Sequence, residues 1–306
     1  MTHVSSRAPV ILVIGGTGFI AAHLLPKLVA TGATVCATHR GRVAEVLGVR
    51  WVSGDLSSDD DIRAWPKRCD AVIYLAQARG WRDFPEGAAG VFEVNIGGVF
   101  RALEYARKAG VSHFVFVSSG SVYPAQAEPV RESDAIDMRA PRTFYAASKL
   151  AAEVLLSPYA ALFKTVVLRL FVPYGSGQSP EMLLPRVADA VATGRVVTLH
   201  GESGLVMNPI AASDVADALI RCLSMQAPAT FNLAGSEVVA LRDVAERIGR
   251  IVGREPNFEC QPGVAPSIVG DIGSLQEQLS WVPAIRLDAG LRQWLRGRAG
   301  PAGSRA

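Results

Sequence analysis

The feature that most narrows what this chain can fold into is a glycine-rich turn, Gly15-Gly16-Thr17-Gly18-Phe19-Ile20-Ala21. Before it, Val10–Ile14 is an apolar run with no polar face, as a strand buried on both sides requires. After it, Phe19–Ala30 reads as a helix. Glycine at Gly15 and Gly18 lets the backbone approach a diphosphate, whose charge is favoured by helix N-terminal N–H groups. The small Ala21 permits close packing of helix on strand. Any tight βα turn wants glycine, so the weight comes from context: strand before, helix after, first βα unit of the chain.

The alternation continues. Thr34–Thr38, Arg50–Val52, Ala71–Leu75, Phe114–Val117 and Thr165–Leu170 read as strands, with a Ser57/Ser58 cap opening an acidic helix start. Phe92–Ala109 reads as one helix: Val91, Val94, Val99, Leu103 and Ala106 recur at helical spacing, and Gly110 is a stop signal. Tyr145–Leu156 is a further helix. This rhythm predicts an α/β fold, a doubly wound parallel sheet of the Rossmann type over 7–172. From Pro173, Gly175, Gly177 and Pro180 the pattern loosens, with helices expected at Leu183–Ala192, Ser213–Cys222 and Leu241–Val252. Strands are expected at Val196–Leu199 and Phe231–Leu233. Residues 173–296 therefore read as a smaller, mainly substrate-binding lobe with some elements returning to the main sheet. The Gly/Arg/Ala/Pro-rich tail from Arg296, with 297–306 outside either domain, reads as disordered.

A formal net charge of +3, with no Lys/Arg stripe interleaved with aromatics, gives nucleic-acid binding no support. Cys36, Cys69, Cys222 and Cys260 are widely spaced, which argues for a reducing compartment and against a disulfide framework or metal site. No signal-peptide pattern and no bilayer-length apolar run is seen, so the expectation is a cytoplasmic protein without a membrane partner.

Tyr145-Ala146-Ala147-Ser148-Lys149 places a phenol and an ammonium on one helical face, one turn apart. A free tyrosine has a pKa of about 10. Positive charge from Lys149 and from an oxidised nicotinamide favours the phenolate, so Tyr145 can exchange a proton with an alcohol or carbonyl as hydride moves. Val117-Ser118-Ser119-Gly120-Ser121-Val122-Tyr123 follows a strand ending at the same sheet edge, and Ser119 is the candidate to hydrogen bond the reacting oxygen. Each piece alone is common; their conjunction behind the glycine turn points to catalysis. The second strand ends in Thr38-His39-Arg40 where NAD sites usually present a carboxylate. Arg40 could pair with a ribose phosphate, so NADP is preferred over NAD.

On these residues the chain resembles the extended branch of the short-chain dehydrogenase/reductase family, which contains sugar-nucleotide epimerases, dehydratases and reductases. The resemblance runs through Gly15–Ala21, Gly54-Asp55-Leu56, Leu75-Ala76, Val94-Asn95-Ile96-Gly97, Ser118–Tyr123, Tyr145–Lys149 and Arg169-Leu170-Phe171. It continues at Asp214-Val215-Ala216-Asp217-Ala218 and Leu279-Ser280-Trp281-Val282-Pro283. It implies that Thr17, Phe19, Ile20, Asp55, Leu56, Leu75, Ala76 and Phe171 lie along the cofactor, as do Tyr145 and Lys149, and that Asn95 helps order the active-site helix. It also implies that Gln77, Ser121, Tyr174, Arg186 and Met207, with the stretch Gln77–Phe84 (Arg79, Trp81 and Arg82 included), line the substrate pocket. The chain departs from the pattern at Val172, where Asn is usual, and at Met207, where a diphosphate-binding arginine is usual. Arg186 or Arg195 could supply that charge. Gly120 and Ser121 replace the Asp-Glu of 4,6-dehydratases, which argues against that reaction.

The expectation is an NAD(P)-dependent oxidoreductase or epimerase acting on a secondary alcohol or ketone of a sugar or sugar nucleotide. Ser119, Tyr145 and Lys149 would be its catalytic residues. A non-catalytic dinucleotide sensor or scaffold on the same fold is the competing reading. Phe92–Ala109 and Tyr145–Tyr159 offer faces for a homodimer.

Overall fold

The computed structural model describes residues 7–298 apart from 42, 44, 57, 58 and 125. Seven strands form the main sheet: β1 (Val10–Ile14), β2 (Thr34–His39), β3 (Val49–Ser53), β4 (Ala71–Tyr74), β5 (His113–Ser119), β6 (Lys164–Leu170) and β7 (Ala229–Leu233). Their order across the sheet is β7-β6-β5-β4-β1-β2-β3. The β1–β2, β2–β3, β1–β4 and β4–β5 pairs are all parallel. The order therefore reverses beside β1, and the crevice beyond the carboxyl ends of β1 and β4 is where such sheets take ligands. Every residue of β4, Ala71–Tyr74, is buried, as expected of a strand covered on both faces.

Helix α1 (Phe19–Ala30) has the range expected from its spacing. Helix α2 (Asp59–Arg63) is one short turn; the expected Ser57/Ser58 cap lies outside the described residues. The single helix expected over Phe92–Ala109 is three pieces: α3 (Ala88–Phe92), a π turn (Glu93–Gly97) and α4 (Gly98–Ala109). The π turn inserts an extra residue into the helical ladder and brings Asn95 to complete burial, its amide donating to Ser148 Oγ at 2.8 Å. Periodicity could not reveal this, because the apolar spacing on either side is helical. Gly110 ends α4 in a left-handed conformation (φ 73°), as its sequence position predicts.

Helix α5 (Phe144–Leu156) starts at Thr143, whose hydroxyl accepts from Ala146 N–H at 3.2 Å. Beyond the sheet come α6 (Leu183–Thr193), α7 (Ala212–Cys222), α8 (Leu241–Val252), α9 (Gly273–Leu279) and α10 (Leu287–Arg298). The chain divides into two compact units. The first takes the chain up to Val122 with Arg139–Arg169 and Ala216–Phe231; the second takes Tyr123–Met138, Leu170–Val215 and the chain from Asn232 onward. Relative to a division at residue 172, Tyr123–Met138 leaves the first unit. It is drawn to the second by the Val130–Gly270 bridge and the Arg131–Asp271 ion pair. The helix α10 also corrects the reading of the tail: it continues through Arg296 to Arg298, whose guanidinium stacks 5.4 Å over Trp294. Residues 299–306 lie outside the described ones.

In the second unit the buried Asp214 carboxylate accepts the N–H groups of Ala284 (3.2 Å) and Ile285 (3.0 Å). The Asp214–Ala218 signature is thus tied to the two residues that follow the Leu279–Pro283 signature. No helix among the described residues is long and apolar enough to cross a membrane.

Gly98, at the start of α4, is closed in. A Cβ there would stand 2.8 Å from the Tyr74 hydroxyl and 2.9 Å from Leu56 Cδ1, and that hydroxyl is held by the Val94 carbonyl. Alanine is the better helix former by ~1 kcal/mol, yet overpacking costs about 1–3 kcal/mol. We expect Gly98→Ala to lower the urea-unfolding free energy; a gain in stability would show that Leu56 and Tyr74 yield freely.

Candidate functional site

The glycine turn is tied down from β2. Thr38 Oγ1 accepts Gly15 N–H at 2.9 Å, and its carbonyl accepts Gly16 N–H at 3.0 Å. Gly15 has φ 89°, and a Cβ on it would meet Ala76 N at 2.7 Å, so backbone lies against backbone where β1 and β4 end. Gly18 caps α1 with no side-chain hydrogen bond to the first turn. The opening N–H groups of α1 are left without a side-chain acceptor, and Thr17 and Gly18 are exposed. That is the donor set a diphosphate needs, so a dinucleotide fits this turn.

The other expected cofactor positions divide. Asp55 is exposed, and its N–H is taken by Asp61 Oδ2 at 2.7 Å. Leu56 is buried in the core beneath α4. Leu75 and Ala76 are half-buried beside Gly15. Arg40 is exposed at the end of β2, after His39, whose ring lies edge-on to Trp51 at 6.2 Å. Phe171 belongs to the second unit, stacked on Tyr123 at 6.3 Å.

The Ser119, Tyr145 and Lys149 side chains converge. Ser119 Oγ lies 2.9 Å from Ser121 Oγ, and the Ser119 hydroxyl is near enough to the Tyr145 phenol to act on its ionisation. Lys149 is buried; its Nζ donates to the Val117 carbonyl at 3.0 Å and stands 5.9 Å from the Tyr145 ring centre. Ser148 links the helix to the π turn, donating to the Tyr145 carbonyl at 2.7 Å while accepting from Asn95. Trp81 packs on Tyr145 with ring centres 4.5 Å apart. Trp81, Arg82, Phe84, Phe144 and Tyr145 line a cavity of about 430 Å³, so part of the Gln77–Phe84 stretch sits beside the phenol. Both polar ends of the Gln77 amide are buried with no partner among the described residues.

The electrostatics act on both members of the pair. Burial raises the Tyr145 phenol above its ordinary pKa, opposed by the Ser119 hydrogen bond, and burial lowers Lys149 to about 7, opposed by the Glu153 charge. Lys149 alone therefore does not bring Tyr145 into the neutral range: desolvation outweighs the pairing read from the sequence.

Three expected substrate positions lie in the second unit. Tyr174 and Met207 are buried in its apolar core, and Arg186 is exposed on α6. Arg195 is tied to Asp189 and Thr193. The sequence reading missed the anchoring role of Thr38 and a buried cluster below Lys149, formed by Ser118, Glu153 and Arg169. The spacing Tyr145, Lys149, Glu153, one helical turn each, was the available signal.

Among known proteins, residues 11–234 match the model of the NAD dependent epimerase/dehydratase family. UDP-glucose 4-epimerase of Erwinia amylovora is 26% identical, over 94% of this chain and 95% of its own. A dTDP-4-dehydro-6-deoxy-D-allose reductase of Streptomyces sp is 27% identical, over 94% and 95%. Among solved structures, MoeE5 in complex with UDP-glucuronic acid and NAD superposes with a TM-score of 0.81 at 28% identity, covering 95% of this chain and 100% of that one. The UDP-glucose 4-epimerase of Thermus thermophilus in complex with NAD gives 0.79 at 26%, covering 95% and 100%.

Linkage follows from Lys149. With a folded pKa of about 7 against about 10.4 unfolded, the unfolded chain binds the extra proton between those values. Its contribution to stability is present above that window and is lost as pH falls through about 7. Urea unfolding should show wild type gaining on Lys149→Met between pH 7 and 10; a flat difference refutes the lowered Lys149 pKa.

Proposed function

Because the chain belongs to the NAD dependent epimerase/dehydratase family, we propose that it moves hydride between a nicotinamide dinucleotide and a secondary alcohol or ketone of a sugar nucleotide. The observation that carries this reading is the convergence of Ser119, Tyr145 and Lys149 at the edge of the sheet that holds the open glycine turn. The first unit would hold the dinucleotide: diphosphate on Gly15, Thr17, Gly18, Phe19 and Ile20, the remainder along Asp55, Leu75 and Ala76, with buried Asn95 ordering α5 through Ser148. The second would contribute most of the substrate lobe.

When bound and oxidised, the nicotinamide supplies the hydride acceptor and a positive charge. The chain's residues do the rest. Ser119 holds the reacting oxygen by its hydroxyl, and Tyr145 takes or gives the proton at its phenolic oxygen. Lys149, fixed on the Val117 carbonyl, adds cationic charge beneath the phenol. A sugar nucleotide is supported by the activities of the relatives above, and Gln77 and Ser121 would supply polar groups for it from the first unit. Reduction and epimerisation use the same groups; the absent β2 carboxylate, which suits exchangeable NADPH, favours reduction. Exposed Phe92, Phe100 and Val154 on α3–α5 favour a homodimer, and four free thiols, three of them buried, favour the cytoplasm.

Tyr145→Phe should lower turnover roughly 10²–10⁴-fold while dinucleotide affinity, read by fluorescence titration, stays nearly constant. Unchanged turnover on a sugar-nucleotide panel would favour a non-catalytic sensor instead. For the cofactor, NADP(H) is preferred because Thr38-His39-Arg40 offers a cation and no carboxylate. Arg40→Ala should weaken NADPH by about tenfold, in line with loss of a charged hydrogen bond, and leave NADH almost unaffected. Tighter NADH binding that ignores the substitution would assign the site to NAD.

A further inference from the structure

We propose that Glu153 is a positioning residue of this site: gripped by Arg169 and Ser118, it ties α5 to the end of β5 that seats Lys149 and carries Ser119, and its charge bears on the Lys149 ammonium one helical turn away. The inference rests on the reading of Tyr145 and Lys149 as the proton-handling pair.

The arrangement begins with spacing. Tyr145, Lys149 and Glu153 succeed one another at intervals of four along α5, so they share one face of the helix. Glu153 is at the third step, and its side chain is 9% exposed, as is that of Arg169 on β6. The two make a two-pronged pair, Arg169 Nε to Oε1 at 3.2 Å and Nη2 to Oε2 at 2.7 Å. Ser118 Oγ donates to Oε1 of the same carboxylate. Ser118 is adjacent to Ser119, and Val117, whose carbonyl receives Lys149, is adjacent to Ser118. Glu153 thus grips the strand end that carries both the Lys149 acceptor and the hydroxyl for the reacting oxygen.

Burying an ion pair is a poor way to gain stability, since a well-packed apolar pair does as well or better. The pair makes sense through its neighbour. Among the described residues, the titratable groups recorded against Lys149 are Tyr145 and Glu153 on α5, with Arg169 on β6 reaching it only through Glu153. Strand β5 offers the Val117 carbonyl and the Phe116 ring, 5.0 Å from Nζ. The π turn offers neutral Asn95, while its Glu93 is exposed and paired with Arg101. On α4, Glu104 pairs with Arg107 and Tyr159. Glu153 is the anion that opposes the desolvation of Lys149. Arg169 and Ser118 fix where that anion sits, so its field falls on the ammonium in one geometry.

The test follows Lys149 directly and needs no substrate. Protein carrying ¹³C-labelled lysine is titrated by NMR, with Lys149→Met assigning the resonance. In Glu153→Gln the Lys149 midpoint should fall by about one pH unit or more, whereas Glu153→Asp should recover part of that fall. With NADP⁺ bound, ultraviolet titration of the Tyr145 phenolate, assigned by Tyr145→Phe, should show ionisation moving to higher pH in Glu153→Gln. If the lone Arg169 cation prevents that variant from folding, Glu153→Gln/Arg169→Met removes both charges and should show a smaller fall in the same direction. An unmoved Lys149 midpoint in whichever of these variants folds overturns the proposal. A shifted midpoint in a protein inactive on every sugar nucleotide would retain it and remove the hydride-transfer reading instead.

Discussion

Lys149 carries an amine into a place that solvent barely reaches, and much of the first unit is arranged around that fact. A lone buried ammonium is costly, so it is offered the Val117 carbonyl, the faces of Phe116 and Tyr145, and the charge of Glu153. Each of those partners sits on β5 or α5. Seating the amine therefore also fixes how the helix lies on the strand, and with it where the phenol meets Ser119.

The second requirement is the narrow join of β1 and β4. With no Cβ, Gly15 lies against the Ala76 backbone, and Thr38 reaches from β2 to hold the turn by two hydrogen bonds. Parallel strands deliver these chain ends to one edge, because every crossover must return over a sheet face before the next strand begins. Binding turn and acid–base group then share an edge as a consequence of topology.

Much of this was legible in the residues. The apolar run before Gly15, the glycine spacing and the β-branched strands specify the doubly wound sheet, since each is a local preference agreeing with one global answer. Tyr145 and Lys149 were readable because their spacing has a helical meaning, and Ser119 because it ends a strand at the same sheet edge. Other features depend on distant partners and leave no local trace. The π turn is hidden by regular apolar spacing on both sides of Glu93–Gly97. The tie from Asp214 to Ala284 and Ile285 joins segments 70 residues apart. The opposed shifts of Tyr145 and Lys149 depend on how much water the finished fold removes, which pairwise charge reasoning does not count.

The π turn has a consequence for how this helix can change length. A regular helix advances about 100° per residue, so the surplus residue in Glu93–Gly97 is what lets Asn95 reach Ser148 while the flanking turns keep their own faces inward. Deleting one residue there would relax the ladder to ordinary geometry and rotate one flank against the other. Either Asn95 or the Val99–Leu103 face would lose its place. Single-residue gaps should thus be rare at this point among chains that retain the asparagine, whereas the exposed turn around Gly32 has room for them.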